Sequence, residues 1–212
     1  MKNYNLDTNC LIGYPRSGNS LLRVLIEFIT ERVVEDYAKG AIEILQLNKE
    51  LGKTPKNPPI MRSYHLQELH EEKLINGKKI NLILRNYRDA IQSHKSRGYV
   101  TTIKDYYSLI KFYDSYENKG SLIYYEDLID LNLQEKVLQD IFSQNNIVEI
   151  PNWNIYLKNK EKINECCQQN YYNRHKKVNV SQDNTIKREI ERDIFSELKS
   201  DIIEKYLNRY KS

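Results

Sequence analysis

The stretch at residues 10–20, which reads C-L-I-G-Y-P-R-S-G-N-S, decides how the rest of the chain is interpreted. A short apolar run breaks at Gly13 and is followed by a turn of small residues. Apolar side chains then recur at helical spacing from Leu21 to Val33. The order of strand, tight turn and helix aims several backbone N–H groups and the positive end of a helix dipole at one point. The stretch therefore predicts a site for a phosphate group.

The two glycines of this stretch are spaced as in a Walker A loop, because four residues separate Gly13 from Gly18 and Ser20 occupies the Ser/Thr position. The lysine that precedes this position in such loops is replaced by Asn19, and the cation lies earlier, at Arg16. A kinase or an ATPase needs that lysine on the β- and γ-phosphates. The same spacing also fits a purely structural turn whose helix is capped by a serine hydroxyl.

Length and composition are those of an ordinary globular protein, and we expect one domain over residues 1–212. A net charge of +4, with both signs mixed, does not suggest nucleic-acid binding. The sequence has no leader pattern and no apolar stretch of membrane-spanning length, so we expect a soluble, cytoplasmic protein without a membrane partner. The three cysteines fit neither a disulfide framework nor a zinc pattern.

Strand and helix patterns alternate along the chain. We expect further strands at 60–64, 79–85 and 120–125, the last two apolar enough to be buried on both faces of a sheet. Helical spacing occurs at 20–37, 41–51, 66–75, 88–97, 103–118, 133–145, 155–170 and 186–207, and loops are expected at 53–59 and 171–184. This alternation predicts an α/β fold of the P-loop-like, three-layer kind, with a central parallel sheet flanked by helices.

Polar residues follow the predicted strands. Arg16, His65, Arg85 and Tyr125 each lie at or just past the carboxyl end of a strand. Because ligands of parallel α/β folds bind beyond these ends, we expect the four side chains to form one site.

A second motif, L-R-N-Y-R-D-A-I-Q-S, occupies residues 84–93. Arg85 ends the apolar run, and Ser93 follows eight residues later on a helix whose first turn carries Asp89. A fixed guanidinium can hold a phosphate dianion by bidentate charged hydrogen bonds, and a serine hydroxyl adds a donor. Alternatively, Arg85 and Asp89 form an ordinary ion pair at a strand end.

The two motifs together resemble those of the sulfotransferases that use 3′-phosphoadenosine 5′-phosphosulfate (PAPS). The turn Y-P-R-S-G-N-S is similar to the family's 5′-phosphosulfate loop, and R-N-Y-R-D-x-x-x-S is similar to its 3′-phosphate motif R-N-P-x-D-x-x-x-S, with Tyr87 in place of proline. Y-E-D-L at 125–128 resembles the strand end whose tyrosine contacts adenosine. The resemblance implies that the cofactor is bound by Arg16, Ser17, Gly18, Asn19, Ser20, Arg85, Ser93 and Tyr125.

The segment M-R-S-Y-H-L at 61–66 resembles the one that carries the general base of the cytosolic enzymes. The resemblance implies that His65 removes the proton of the acceptor, although Ser63 stands where the family often has lysine. If His65 is structural, Glu68 or Glu71 in the following segment is the alternative base.

The segment R-H-K-K-V-N at 174–179 resembles the family's R-K-G-x-x-G loop, which closes over the 3′-phosphate. This similarity implies cofactor contacts from Arg174, His175 and Lys176. Both glycines of the pattern are replaced here, and a disordered basic loop is the alternative interpretation.

The resemblance implies transfer of a sulfuryl group from PAPS to a hydroxyl or amine of a small-molecule or glycan acceptor, without a metal, releasing adenosine 3′,5′-bisphosphate. Arg16 and His65 would be the catalytic residues, and Arg16 would stabilise charge only, because a guanidinium keeps its proton. Two alternatives remain: a nucleotide kinase or hydrolase with a degenerate Walker A loop, and a non-catalytic nucleotide-binding protein of the same fold. We further expect His70 and His94 to be solvated and the tyrosines of 106–116 to pack in the core, with the lining of an acceptor pocket as their alternative role.

Overall fold

The computed structural model describes residues 9–36, 56–64, 77–95, 103–174 and 184–211. Within these ranges, five strands form one sheet in the order β2-β3-β1-β4-β5, and every neighbouring pair is parallel. The strands are β1 (Asn9–Gly13), β2 (Arg32–Asp36), β3 (Lys56–Tyr64), β4 (Ile80–Leu84) and β5 (Lys119–Tyr124). The predicted α/β fold with a central parallel sheet is therefore confirmed.

Helices cover both faces of this sheet, so the arrangement has three layers. They are α1 (Asn19–Thr30), α2 (Tyr87–Lys95), α3 (Ile103–Ser115), α4 (Tyr125–Ile129), α5 (Gln134–Gln144), α6 (Trp153–Arg174), α7 (Asn184–Glu197) and α8 (Ser200–Leu207), followed by a 3-10 turn at Asn208–Tyr210. No helix in the described part of the chain combines the length and the apolar character needed to cross a membrane.

The apolar core is divided by the sheet, because neighbouring residues of a strand point to opposite faces. Leu11 and Ile83 pack with helices α1, α4, α5 and α6. Ile12 and Leu82 pack with helices α2, α3, α7 and α8. Apolar side chains on both sides of β1 and β4 thus explain why these strands lie inside the sheet.

The first helix is shorter than the predicted 20–37. It ends at Thr30, Glu31 adopts a left-handed backbone with φ of 53°, and β2 follows. Two buried side chains of α1 bind the backbone of Val34: Val34 N donates to Glu27 Oε1 at 2.9 Å, and Arg23 Nη2 donates to Val34 O at 3.2 Å. These side chains supply hydrogen bonds that a further strand would otherwise make, which stabilises a strand at the sheet edge.

Other boundaries also differ from the prediction, and the helix expected at 155–170 extends over Trp153–Arg174, into the expected loop. β3 begins at Lys56, inside the predicted loop, and its prolines fall where the register with β2 shifts between Arg32↔Lys56 and Val34↔Met61. Proline is tolerated at such irregular positions because it has no N–H to donate. The predicted last helix is broken in two at Lys199, whose backbone is extended.

Candidate functional site

The loop between β1 and α1 is tightly packed and has an unusual backbone. A Cβ at Gly13 would lie 2.5 Å from Ile83 Cγ2 and 2.6 Å from Asn19 Oδ1, so no side chain fits there. Gly18 has φ of 94°, and a Cβ on it would overlap the ring of Tyr125. Arg16 has φ of 75°, which is costly for a residue with a side chain. Such strain is typical of functional loops.

The same loop carries buried polar atoms that suit a ligand. Ser17 is fully buried, and neither Ser17 Oγ nor Asn19 Oδ1 has a hydrogen-bond partner among the described residues. The N-terminus of α1, at Gly18, is not capped by any side chain, and its first turn contains no acidic residue. The purely structural serine cap is therefore absent. Helix N–H groups together with the unpaired buried hydroxyl of Ser17 can donate hydrogen bonds to an anionic group.

The structure brings the two sequence motifs together. Arg85 follows β4 directly, and its Nη1 donates to the backbone carbonyl of Arg16 at 3.1 Å. Arg16 Nε lies 3.5 Å from Ser93 Oγ on α2, at the limit of a hydrogen bond. The guanidinium carbon of Arg85 lies 4.8 Å from the ring centre of Tyr125. Four predicted site residues from separate segments therefore lie side by side at the carboxyl edge of the sheet.

The alternative role of Arg85, an ion pair with Asp89, is not observed. Asp89 is exposed, and among the described residues no ion pair joins the two side chains. The guanidinium of Arg85 instead faces the loop and the ring of Tyr125.

Hydrogen bonds to the backbone hold the segment that carries Arg85. The hydroxyl of Tyr106 donates to Arg85 O at 2.7 Å, and the backbone N–H of Asn86 donates to Glu126 Oε1 at 2.9 Å. The side-chain oxygen of Asn86 accepts from Arg88 N at 3.1 Å, which caps the start of α2. The orientation of Arg85 is thus fixed by groups on α3 and α4.

Tyr87, which replaces the proline of the family's motif, is fully buried. Its ring contacts those of Tyr106, Phe195 and Tyr210 edge-on, with centre-to-centre distances of 6.3, 6.2 and 6.4 Å. Burial raises the pKa of Tyr87 to about 12, so the hydroxyl is neutral at physiological pH. Aromatic packing therefore holds the backbone at a position where proline would restrict φ.

The prediction that His94 is solvated holds only in part, because the side chain is half-buried. Its ring lies edge-on to that of Tyr14, 5.8 Å between centres, and its Nδ1 is buried. Tyr14 lies between His94 and Tyr106, 5.3 Å from the latter ring. Tyr106 and Tyr113 are buried in the core, as predicted. The sequence did not indicate the contact of His94 with Tyr14 because the helix of His94 is rich in charge, whereas Tyr14 belongs to the β1–α1 loop.

Several predicted site residues lie outside the described residues. They are His65, Glu68, Glu71, His175 and Lys176, together with the side chain of Arg174, the last residue of α6. In the sequence, His65 follows Tyr64, the last residue of β3. Their roles stay predictions.

Sequence reasoning missed three residues at this site: Tyr106, Glu126 and Tyr210. For Glu126 a signal existed, because it belongs to the quoted Y-E-D-L segment. For the two tyrosines no local pattern was available, since the groups they bind lie in other segments: Arg85 O for Tyr106 and Glu126 Oε2 for Tyr210. Across the described ranges, no group of three or more His, Cys, Asp or Glu side chains is placed to hold a metal ion.

No family model matches this chain, and no curated protein sequence matches it. A similar solved structure is the crystal structure of mouse sulfotransferase SULT7A1 complexed with PAP. The sequences are 14% identical, the alignment covers 98% of this chain and 87% of that chain, and the TM-score is 0.44. A similarity of this size does not identify a reaction, so the function of this chain is inferred from its own residues.

Proposed function

We propose that this chain is a sulfotransferase that uses PAPS as its sulfuryl donor. The observation that carries the proposal is the contact between the two motifs: Arg85 Nη1 to Arg16 O, and Arg16 Nε to Ser93 Oγ. These residues lie far apart in the sequence, and each belongs to a motif that resembles a phosphate-binding motif of this family. Their meeting at one edge of a parallel sheet supports one site for a nucleotide with two separate phosphate groups.

The β1–α1 loop would hold the 5′ end of the donor. The backbone N–H groups at the start of α1, the Ser17 hydroxyl and the Asn19 amide would bind its oxygens, with Gly18 and Ser20 completing the loop. Gly18 fits this role because its lack of a side chain leaves room for both a ligand and the Tyr125 ring. The guanidinium of Arg16 would neutralise charge on the leaving phosphate, since it stays protonated throughout.

The second motif would hold the 3′-phosphate. Arg85 supplies a permanent cation whose backbone is fixed by Tyr106, and Ser93 supplies a hydroxyl from α2. The ring of Tyr125, already in contact with the Arg85 guanidinium, would stack against the adenine base. We propose that Arg174, His175 and Lys176 add further cationic contacts.

When bound, PAPS supplies an activated sulfuryl group for in-line displacement. The role of this chain is then to position the acceptor and to move its proton. We propose that His65 accepts the proton from a hydroxyl or amine of a small-molecule or glycan acceptor, because imidazole titrates near neutral pH. We propose no metal, since the charge on the leaving group would be balanced by Arg16 and the helix N-terminus.

The structure gives one reason to favour this function over a nucleotide kinase. The Asn19 side chain occupies the Walker lysine position, and its amide packs over Gly13, where a Cβ would lie 2.9 Å from Nδ2. The short, neutral amide of this residue cannot place a positive charge beside the β- and γ-phosphates, as the Walker lysine does.

Thermal unfolding with four nucleotides tests the proposal: adenosine 3′,5′-bisphosphate, AMP, ADP and Mg·ATP, each at the same concentration. A ligand at 100 times its dissociation constant stabilises the folded state by about 2.7 kcal/mol, which raises Tm by several degrees. We expect a clear shift with the bisphosphate and a smaller one with AMP. A shift with Mg·ATP alone would instead support a kinase or hydrolase, and no shift with any nucleotide would contradict nucleotide binding. Sulfuryl transfer from labelled PAPS then distinguishes an enzyme from a non-catalytic binder.

A further inference from the structure

The C-terminal turn at Asn208–Tyr210 packs against the two segments that carry Arg85 and Tyr125. The backbone carbonyl of Tyr210 accepts from Arg88 Nη1 at 3.0 Å, and Arg209 forms a bidentate ion pair with Asp127, with both distances 2.8 Å. The hydroxyl of Tyr210 donates to Glu126 Oε2 at 2.7 Å. The end of the chain is therefore bound at three points to the proposed nucleotide site.

Glu126 uses its two carboxylate oxygens for two different partners. Oε1 accepts from the backbone N–H of Asn86 at 2.9 Å, and Oε2 accepts from the Tyr210 hydroxyl at 2.7 Å. Asn86 directly follows Arg85, so one carboxylate joins the backbone beside Arg85 to the end of the chain. With both oxygens engaged, the side chain is restricted to one orientation.

The surroundings of Tyr210 restrict the groups to which its hydroxyl can donate. The side chain is buried, and its ring lies edge-on to those of Tyr87 and Tyr124, at 6.4 and 6.0 Å between centres. Burial and the neighbouring Glu126 carboxylate raise the pKa of Tyr210, so the hydroxyl keeps its proton and acts as a donor. A buried hydroxyl needs such a partner, and Glu126 supplies it.

We propose that Glu126 and Tyr210 are positioning residues for the 3′-phosphate site, which rests on the proposed function. Tyr210 orients the carboxylate, the carboxylate holds the Asn86 N–H, and this bond sets the backbone from which Arg85 extends. Loss of the Tyr210 hydroxyl leaves Glu126 Oε2 without this donor and loosens the Asn86 backbone. The effect should be larger for nucleotides with a 3′-phosphate, because AMP has no phosphate group at Arg85.

The test compares Tyr210→Phe with a matched control, Tyr206→Phe. Both tyrosines are buried on the same side of the sheet, but the Tyr206 hydroxyl donates to Asp114 Oδ1, on α3. Titration calorimetry measures the dissociation constants of adenosine 3′,5′-bisphosphate and AMP. We expect Tyr210→Phe to weaken binding of the bisphosphate about 3- to 10-fold, as for loss of one hydrogen bond, and to weaken binding of AMP less, through the contact of Arg85 with Arg16 alone. Tyr206→Phe should change neither constant. Equal weakening of the binding of both nucleotides in Tyr210→Phe, or equal changes of the dissociation constants in the two variants, would overturn the inference.

A double-mutant cycle tests whether the two residues act through each other. Glu126→Ala should weaken binding of the bisphosphate at least as much as Tyr210→Phe does. The double variant should bind the bisphosphate no more weakly than Glu126→Ala alone. Glu126→Gln, which keeps an acceptor for the Asn86 N–H, should recover part of the loss. Additive effects in the double variant would contradict a shared role.

Hydrogen exchange of the ligand-free protein gives an answer that does not depend on the nucleotide. The Asn86 amide should exchange faster in Tyr210→Phe than in the wild type, and it should not change in Tyr206→Phe. Unchanged exchange in Tyr210→Phe would overturn the positioning role. If the wild type fails to prefer the bisphosphate over AMP, the proposed function is wrong, while the exchange rate still decides whether Tyr210 holds this backbone.

Discussion

The guanidinium of Arg85 donates a hydrogen bond to the backbone carbonyl of Arg16 at 3.1 Å. Arg16 has a left-handed backbone with φ of 75°, a conformation that costs about 1–2 kcal/mol for a residue with a Cβ. The bond from Arg85 helps to hold the carbonyl in that orientation, and Arg16 in turn contacts Ser93 on the helix after Arg85. The two sequence motifs therefore support one another, and a substitution in one should change the geometry of the other.

Arg85→Ala should weaken binding of adenosine 3′,5′-bisphosphate far more than binding of AMP. Hydrogen bonds to charged groups contribute about 1.5–3 kcal/mol, so we expect roughly a 10- to 100-fold loss for the bisphosphate. AMP should lose less, through the looser Arg16 backbone alone. Titration calorimetry with both nucleotides measures the difference.

Arg192→Ala is the control for this substitution, because its side chain is 77% exposed on α7 and pairs with Asp193 at 3.8 Å. It removes the same charge from the protein and should leave both affinities unchanged. Equal losses of affinity for the bisphosphate and for AMP in Arg85→Ala would contradict a role of Arg85 in the proposed 3′-phosphate site.

His65→Ala should leave nucleotide binding intact and sharply lower sulfuryl transfer. General bases contribute about 10²- to 10⁴-fold to a rate, so a loss of that size is expected in turnover from saturating PAPS. His70→Ala is a control for removal of an imidazole from the same segment. Persistent turnover in His65→Ala would assign the proton transfer to another group, with Glu68 and Glu71 as the next residues to replace.

The parallel sheet and the meeting of Arg16, Arg85 and Tyr125 at its carboxyl edge were predictable because their signals are local. The apolar run that becomes β4 is buried on both faces, and Arg85 directly follows its last residue. A strand end, a glycine turn and a helix start are short patterns, and the topology of parallel folds then places them at one edge.

Features that depend on distant partners were not predictable. Residues 32–36 continue a helical pattern, yet they form β2, where Arg23 and Glu27 bind the backbone of Val34. Nothing near Tyr210 indicates that its hydroxyl reaches Glu126. Tertiary contacts of this kind outweigh local propensity, which amounts to less than about 1 kcal/mol per residue.

Gly18→Ala should be more destabilising than Gly77→Ala, although both glycines have positive φ, 94° and 75°. A Cβ at Gly77 meets nothing within 4 Å, so that variant carries only the backbone cost of about 1–2 kcal/mol. At Gly18 the same cost is joined by a clash with the Tyr125 ring. Denaturant unfolding measures both variants, and nucleotide affinity should fall only in Gly18→Ala. Equal losses of stability would show that Tyr125 moves aside freely.

Asn81→Ala should reduce stability without changing nucleotide affinity. The buried amide of Asn81 donates to Cys10 O at 3.0 Å and accepts from Ser121 N at 2.8 Å, and it exchanges two hydrogen bonds with Asn145 at 2.9 Å. Removing it leaves buried backbone groups unpaired, which should cost about 2–4 kcal/mol. Asn159→Ala, which removes an exposed amide, should change the free energy of unfolding by about 0.5 kcal/mol or less. A loss below about 1 kcal/mol in Asn81→Ala would contradict this account.

Stability should fall steeply between pH 10 and pH 12. Burial raises the pKa of Tyr87 and of Tyr113 from 10.0 to about 12, so in this window the unfolded chain loses these protons while the folded chain keeps them. The unfolded state then binds fewer protons, and the free energy of unfolding decreases as pH rises, by up to about 1.4 kcal/mol per pH unit for each tyrosine. Burial raises the pKa of Tyr106 and Tyr156 in the same direction.

Denaturant unfolding at a series of pH values, with tyrosinate absorbance recorded in parallel, checks this expectation. Stability contributed by these side chains is complete below pH 10 and is lost above it. Tyr113→Phe should lower stability at neutral pH, because the Tyr113 hydroxyl donates to Gly120 O at 2.9 Å. The variant should also show a shallower decline with pH, since one of the buried titrating groups is gone. A free energy of unfolding that stays constant from pH 10 to pH 12, or titration of all 17 tyrosines together near pH 10, would contradict the burial of these hydroxyls.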